Sequence, residues 1–409
     1  MDTKNKKNGN VPNLRFPGFE GEWERKKLGE VAEIFKGKGI SKEQLSLEGI
    51  PCILYGELYT KYKSEIISEV ISRTNINEFG LVKSKSNDVI IPASGETAID
   101  ISTARCVVYD DVLLGGDLNI LRLKNDNGVF LSYQINGRRK FDIAKLAQGI
   151  SVVHLYGERI KTLNVYFPNI AEQTQIASFL SLIDERIATQ MKTIQSLESL
   201  MRGLREKIFS QKLRFRDGKG NEFAEWEDKT LGEIGNFQTS SIDKLIRDNE
   251  KIVFLINYMN VYRHENINSK TVKLFQIVSA KDSQIENCNL KKGDILFTPS
   301  SETADDIGHS VVISENLENT VFSYHLMRFR PNIKLDILYS HYFCNIPTVL
   351  NQLSKLATGS TRFTISVKSF SSVKIKLPTL SEQTKIANFL SSIDIKIETE
   401  KEILTQYQS

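Results

Sequence analysis

A twenty-residue string occurs twice in this chain, as PNIAEQTQIASFLSLIDERI from Pro168 and as PTLSEQTKIANFLSSIDIKI from Pro378. Twelve of its positions are identical at a constant offset of 210, more than two unrelated amphipathic helices would share. The chain is therefore an internal repeat, and its architecture is one unit written twice. In the first copy Leu180, Ile187, Ile194, Met201 and Ile208 recur every seven residues, with Ile176, Ile183, Leu197 and Leu204 interleaved. In the second, Leu390, Ile397 and Leu404 take one seam position and Ile386, Ile393 and Tyr407 the other. A heptad seam needs a second helix along its length, and the obvious partner is the other copy.

Both copies interrupt the seam at one register, with Gln190 and Glu400. A polar residue there either fixes register at some cost in stability or is a water-exposed flaw. One helix over 171–212 spans roughly 60 Å at ~1.5 Å per residue, the length of a spacer. Only fifteen residues follow Asp394, so Met201 to Ile208 find no counterpart and the far end of the pair is expected to fray.

With 409 residues and a repeat offset slightly above 200, two equivalent halves are expected. No apolar run approaches the ~18 residues of a membrane span, and MDTKNKKNGN is too polar for a secretory signal. A cytoplasmic protein is expected. Cys52, Cys106, Cys288 and Cys344 are dispersed and the five histidines lack helical metal spacing, so neither disulfides nor a metal site is expected. A net charge of +4 is only a weak pointer to nucleic acid.

Residues 1–13 read as a disordered lead. LRFPGFEGEWERKKLGEV then opens the first half, and LRFRDGKGNEFAEWEDKTLGEI opens the second from Leu213. Trp23, Leu28, Gly29 and Glu30 answer Trp226, Leu231, Gly232 and Glu233. The expected order is a domain over 14–168, a helix over 169–212, a domain over 213–378 and a shorter helix over 379–409. DVIIPASGETAID from Asp88 and DILFTPSSETADD from Asp294 align as strands that run into polar loops. Segments 130–147 and 335–357 read as helices. Each half is an α/β or α+β domain, and the expected architecture is two such copies separated by two long antiparallel coiled-coil helices with pseudo-twofold symmetry. The stretches 36–64 and 238–266 diverge while the scaffold repeats, as two copies of a reader for different targets would.

Few motifs suggest chemistry. Phe35-Lys36-Gly37-Lys38-Gly39 fits the F-x-G-x-G of adenine-N6 methyltransferases, but their Pro-Pro segment has no match among nine prolines. A Gly-rich basic loop near a phosphate backbone is the better reading. No phosphate-cradling G-x-x-x-x-G-K-[ST] occurs. Glu24-Arg25-Lys26 and Glu227-Asp228-Lys229 echo a nuclease E-x-K without a partner aspartate, and His154 reads as a strand or loop residue. Candidate DNA contacts are Lys36, Lys38, Tyr55, Ser94, Glu96, Thr97 and Ser151 in the first half. Those in the second are Tyr258, Asn260, Arg263, Ser301, Glu302, Thr303, Thr361 and Arg362. Short hydroxyls and carboxylates accept from cytosine N4 or touch phosphates, and arginine reads guanine or neutralises a phosphate. Equally, the Ser-Glu-Thr loops are turns that cap themselves.

The two P-x-x-x-EQ-x-x-IA-x-FL helices at Pro168 to Leu180 and Pro378 to Leu390, the EW-x-x-x-x-LGE openings and LMRGLREKIFSQKLRF together carry a resemblance. Over nearly all its length the chain resembles the specificity subunits of type I restriction-modification systems. The resemblance implies two target recognition domains held apart by antiparallel helices, each reading one half of a bipartite double-stranded DNA target. It also implies that two modification subunits and the restriction subunits supply catalysis. S-adenosylmethionine, ATP and Mg are then expected on those partners, with no cofactor in this chain. The rival readings are a self-contained adenine-N6 methyltransferase and a coiled-coil protein adaptor without DNA.

Overall fold

The computed structural model describes residues 11–408, so most of the expected N-terminal lead lies outside the described residues. The chain forms two compact units, one ending at Thr189 and the other beginning at Gln190. A 40-residue helix, Ile170–Phe209, is the chain's passage from one to the other, and a second long helix, Leu380–Gln408, belongs to the second unit. Among the described residues no helix is long and apolar enough to cross a membrane.

Each unit opens on a two-stranded ribbon that ties its beginning to its end: Glu24–Lys27 pairs antiparallel with Asn164–Phe167, and Glu227–Thr230 with Lys374–Leu377. A main sheet follows in one strand order. In the first unit Ala32–Lys36, Leu118–Leu123, Asp88–Pro92 and Arg105–Val107 lie side by side, with the short Ile66–Ile67 at the edge. In the second, Gly235–Thr239, Met327–Pro331, Ile295–Phe297 and Ser310–Val312 repeat the order. Asp88 and Asp294, almost fully buried where their strands begin, hold Arg122 and Arg330 bidentately at 2.6–2.9 Å. That geometry favours arginine over lysine at both places. Mixed sheets with peripheral helices make each unit α+β.

The divergent stretches contribute strands to a second sheet, two in the first unit and one in the second, and that sheet differs between units. The first unit has five short strands, Leu45–Ser46, Ser72–Thr74, Ile50–Ile53, Leu113–Leu114 and Val82–Lys83; the second has three longer ones, Gln276–Ala280, Lys251–Ile256 and Thr320–Phe322. The segments expected to be helical each hold two helices, Gly128–Asn136 with Lys140–Ala144 and Ile337–Phe343 with Pro347–Leu356. Gly137 ends the first piece, and Pro347, which has no N–H to continue a helix, starts the last one.

The repeated sequence motifs converge on one carboxylate per unit. Glu172 accepts from Arg15 Nε and Nη2, both at 2.7 Å, and from Trp23 Nε1 at 3.3 Å; Glu382 accepts from Arg214 at 3.3 and 3.1 Å and from Trp226 Nε1 at 3.0 Å. Both glutamates are fully buried. Phe16 and Phe215, next to those arginines, meet Phe179 and Phe389 edge to face. The neighbouring Gln173 and Gln383 bond the carbonyls of Pro168 and Pro378 at 2.9 Å, and they accept from the backbone N–H of Asn127 and Asp336, the residues that cap the next helix. Thus Glu-Gln of the long helix and the Arg, Phe and Trp of the opening form one contact set, and it occurs in both units.

Within the second unit the two long helices run antiparallel. Gln190 donates to the Glu400 carbonyl at 2.9 Å, Glu198 pairs with Lys401, and beyond the helix end Arg214 reaches Glu382. Ile194, Met201, Ile208, Ile386, Leu390 and Ile397 are buried between and beneath them, with Leu197, Leu204 and Ile393 half-buried. In the first unit Ile176 joins the domain core, while Leu180, Ile183 and Ile187 are half-buried. Leu404 and Tyr407 are half-buried as well. Gln190 also bonds the Glu400 carboxylate at 2.5 Å, so the polar interruption is a matched pair. The first long helix stops at Phe209, before Lys212, because Gln211 takes φ +60° and Leu213 N–H returns to the Lys207 carbonyl.

The chain's two tryptophans, one per unit, each touch their own buried glutamate. Glu382→Ala is expected to lower the unfolding free energy reported by Trp226 by about 2–3 kcal/mol, since a buried indole N–H loses its acceptor. Glu172→Ala should shift only the transition reported by Trp23. Denaturant titrations of single-tryptophan variants followed by fluorescence check both, and a common shift of the two transitions would refute the separation.

Candidate nucleic-acid interface

In each unit the strand that starts at the buried aspartate runs into a polar loop, and the loop is gripped by a hairpin just before the closing ribbon. Ser94–Gly95 pairs with Val153–His154, and Ser300–Ser301 with Phe363–Thr364. The hairpins are built identically. Gln148 and His154 exchange backbone bonds of 2.9 and 2.7 Å, and Thr358 and Thr364 exchange two of 2.9 Å. Gly149 and Gly359 take φ of +119° and +140°, and a Cβ on either would stand 2.1 Å from the carbonyl oxygen of Val152 or Arg362. Only glycine fits. Residues 150–152 and 360–362 are therefore held out as exposed tips.

Several candidate contacts have their polar groups occupied within the protein. Ser94 is buried and donates to Asp117 at 3.0 Å; Ser301 is buried and donates to the Thr303 carbonyl. Thr97 bonds both the carboxylate and the backbone N–H of Asp100, which caps the following turn. Asn260 accepts from Asn257 N–H and donates to Glu265, the work of a helix cap. These bonds tie the four side chains into the loops and caps of the fold itself, so each shapes the loop that carries it. Tyr55 is half-buried against the core under the second sheet, and Tyr258 donates to the Ser300 carbonyl at 2.9 Å.

What remains outward is a set of charged and aromatic groups around each hairpin. In the first unit Lys36, Lys38, Glu96 and Ser151 are exposed, and Lys36 lies 6.0 Å over the Tyr156 ring, which stacks on His154. Tyr59 lies beside Gly95, and burial raises its phenol pKa, with smaller contributions from Tyr55, Asp100 and Glu96. In the second, Arg263, Glu302, Thr303, Thr361 and Arg362 are exposed, and Arg362 donates to Ser300 Oγ at 3.3 Å. The Tyr324 and His325 rings lie 3.8 Å apart; burial holds the His325 pKa down, helped by Arg362 and Lys244 nearby. Tyr258 stacks on Tyr262, whose hydroxyl donates to Asp306 at 3.0 Å, and Asp306 bonds His309, 3.2 Å from His264. The placement of Tyr59, Tyr156, Tyr324 and this histidine chain around the loops was not legible in the sequence, since no spacing marks them and long-range folding alone brings them there. Cations set among aromatics around a protruding loop suit a polyanion with flat bases.

The F-x-G-x-G stretch is not an open cradle. Gly37 N–H bonds the Leu118 carbonyl and Lys38 N–H the Leu114 carbonyl, while a Cβ on Gly37 would lie 2.0 Å from the Gly115 oxygen. Close backbone approach accounts for the glycine. The E-x-K pairs close on themselves, Glu24 to Lys26 at 2.9 Å and Glu227 to Lys229 at 3.2 Å, along the entrance ribbons. Among the described residues no group of three or more His, Cys, Asp or Glu could hold a metal ion, and the four cysteines are buried and free.

The type I restriction modification DNA specificity domain is matched twice, over residues 20–199 and 224–407. Two curated relatives from Methanocaldococcus jannaschii are similar over nearly the whole chain: the type I restriction enzyme MjaVIII specificity subunit, 24% identical over 95% of this chain and 89% of its own length, and the putative MjaX specificity subunit, 24% identical over 93% and 88%. The crystal structure of a type I restriction-modification S subunit from M. genitalium shares the fold, with a TM-score of 0.58 at 16% identity over 98% of this chain and 96% of that one.

Gly359→Ala is expected to force the second hairpin open, costing about 1–3 kcal/mol of backbone strain and speeding hydrogen exchange at the Thr358 and Thr364 amides. Gly203→Ala, at a helix position where a Cβ meets nothing within 4 Å, should instead be neutral or slightly stabilising. Equal behaviour of the two variants would show that the loop is not locked.

Proposed function

Because the chain belongs to the type I restriction modification DNA specificity family, we propose that it is the sequence-reading component of such a system. Each unit reads one half of a bipartite duplex target. The long helices set the distance between the half-sites and carry two modification subunits, to which the restriction subunits add. Methyl transfer and cleavage fall to those partners, with S-adenosylmethionine, ATP and Mg bound there. The observation that carries this reading is the pairing of a repeated frame with unlike tips: both units lock the same hairpin with glycine, yet one presents Ile150-Ser151-Val152 and the other Ser360-Thr361-Arg362. A frame kept in place while its outward residues differ is what reading two different half-sites requires.

Two roles divide the exposed groups. Lys36, Lys38 and Arg263 position the duplex through phosphates, which carries no sequence information, while Arg362, Glu302 and Glu96 face base edges. The hydroxyls of Ser151, Thr303 and Thr361 are free to follow either.

Replacing residues 20–165 with the first domain of another family member is expected to change one half of the methylated sequence and leave the other, as read by mapping methylated adenines in cells. A change in both halves would refute independent reading. Lys36→Ala should weaken binding of the assembled complex about equally on all sequences and reduce the salt slope by about 1, whereas Arg362→Ala should relax preference at one base pair by about 1–3 kcal/mol. Competition binding at several salt concentrations separates the two outcomes.

A further inference from the structure

The two hairpin tips differ in chemistry more than in shape. Ile150 is 97% exposed and Val152 53% exposed, one residue apart on a loop whose glycine lock prevents them from folding back onto the unit. Arg362 occupies the position of Val152, and Ser360 that of Ile150. Single exposed apolar side chains are ordinary on protein surfaces. Two on one tip, on the hairpin whose His154 stacks on the half-exposed Tyr156 under the exposed Lys36, add nothing to the fold and suit a partner that is apolar at one point and anionic around it.

Duplex DNA offers one such point in the major groove, the 5-methyl group of thymine, set among phosphates. Resting on the DNA-reading function proposed above, we propose that Ile150 and Val152 form an apolar contact for a thymine methyl in the half-site of the first unit. They are then specificity-determining residues of that half-site. The first unit reads this position by shape and apolar contact, while the second unit places a cation and hydroxyls at the same place. Polar spacing cannot mark such a reader, because an exposed isoleucine in sequence looks like a core residue.

The full chain assembled with its modification subunits tests this on duplexes carrying its mapped target, the half-site of the first unit being identified by the domain exchange. Each thymine there is replaced in turn by deoxyuridine, which lacks only the methyl. The native assembly is expected to lose about fourfold in affinity at one position, what burying one methyl group at ~0.8 kcal/mol provides. The Ile150→Ala, Val152→Ala variant should bind thymine and deoxyuridine equally there and keep its preferences in the other half-site. Both residues are exposed, and an unchanged Trp23 emission verifies that the variant folds. Retention of the thymine preference by the variant overturns the proposal, as does a half-site in which no thymine methyl matters. Absence of sequence-specific binding by the native assembly would instead overturn the DNA-reading function itself.

Discussion

A buried carboxylate at the start of each long helix is the constraint on which the rest depends. Taking Glu172 or Glu382 out of water is tolerable only if donors surround it, and arginine and tryptophan from the opening segment supply them. The arginine pKa is raised in both units, first by that hydrogen bond, so the guanidinium stays charged. Because the donors come from the unit's first residues and the acceptor from its last, the contact closes each unit on itself. Glutamine beside the glutamate then fixes where the domain's own helix begins, through Asn127 or Asp336.

The helices carry a second layer of the same logic. Tyr133 donates to Asp184 and Tyr342 to Asp394, both at 2.5 Å, and burial together with that bond pushes each phenol up. Around these shared pairs the units differ. In the first, the half-buried Glu65 and the buried Arg105 stand near Asp184, and burial raises the one and lowers the other. In the second, Arg205 of the long helix lies 5.8 Å over the Tyr342 ring and donates to the Asn345 carbonyl. The apolar seam makes helix association favourable, and the Gln190–Glu400 pair opposes sliding, since any shift of register leaves two half-buried polar groups unmatched.

Against that rigid frame the hairpin tips and the second sheet are where variation is cheap. A tip residue exposed beyond a glycine lock can change without disturbing the core, whereas Ser94, Ser301 and Asn260 cannot, because loops and caps depend on their bonds. Exposed tip positions and positions bonded into the loop thus lie within a few residues of one another, and only their hydrogen-bond partners tell them apart.

The amino-acid sequence alone determined what is local or periodic. The repeat, the order of domain and helix, the seam at Ile194, Met201 and Ile208, and the two long helices that carry Glu-Gln near their starts follow from identity at fixed offset and from spacing along a helix. Tertiary structure decided what depends on partners distant in the chain. Ser94 bonds Asp117, Gly37 is explained by the Gly115 carbonyl, Tyr156 follows a strand paired with Ser94–Gly95, and Gln190 finds Glu400 across 210 residues. Long-range pairing decides which side chains are tied into the fold, because satisfaction of a hydrogen bond is a property of two places in space and spacing in sequence records only one of them.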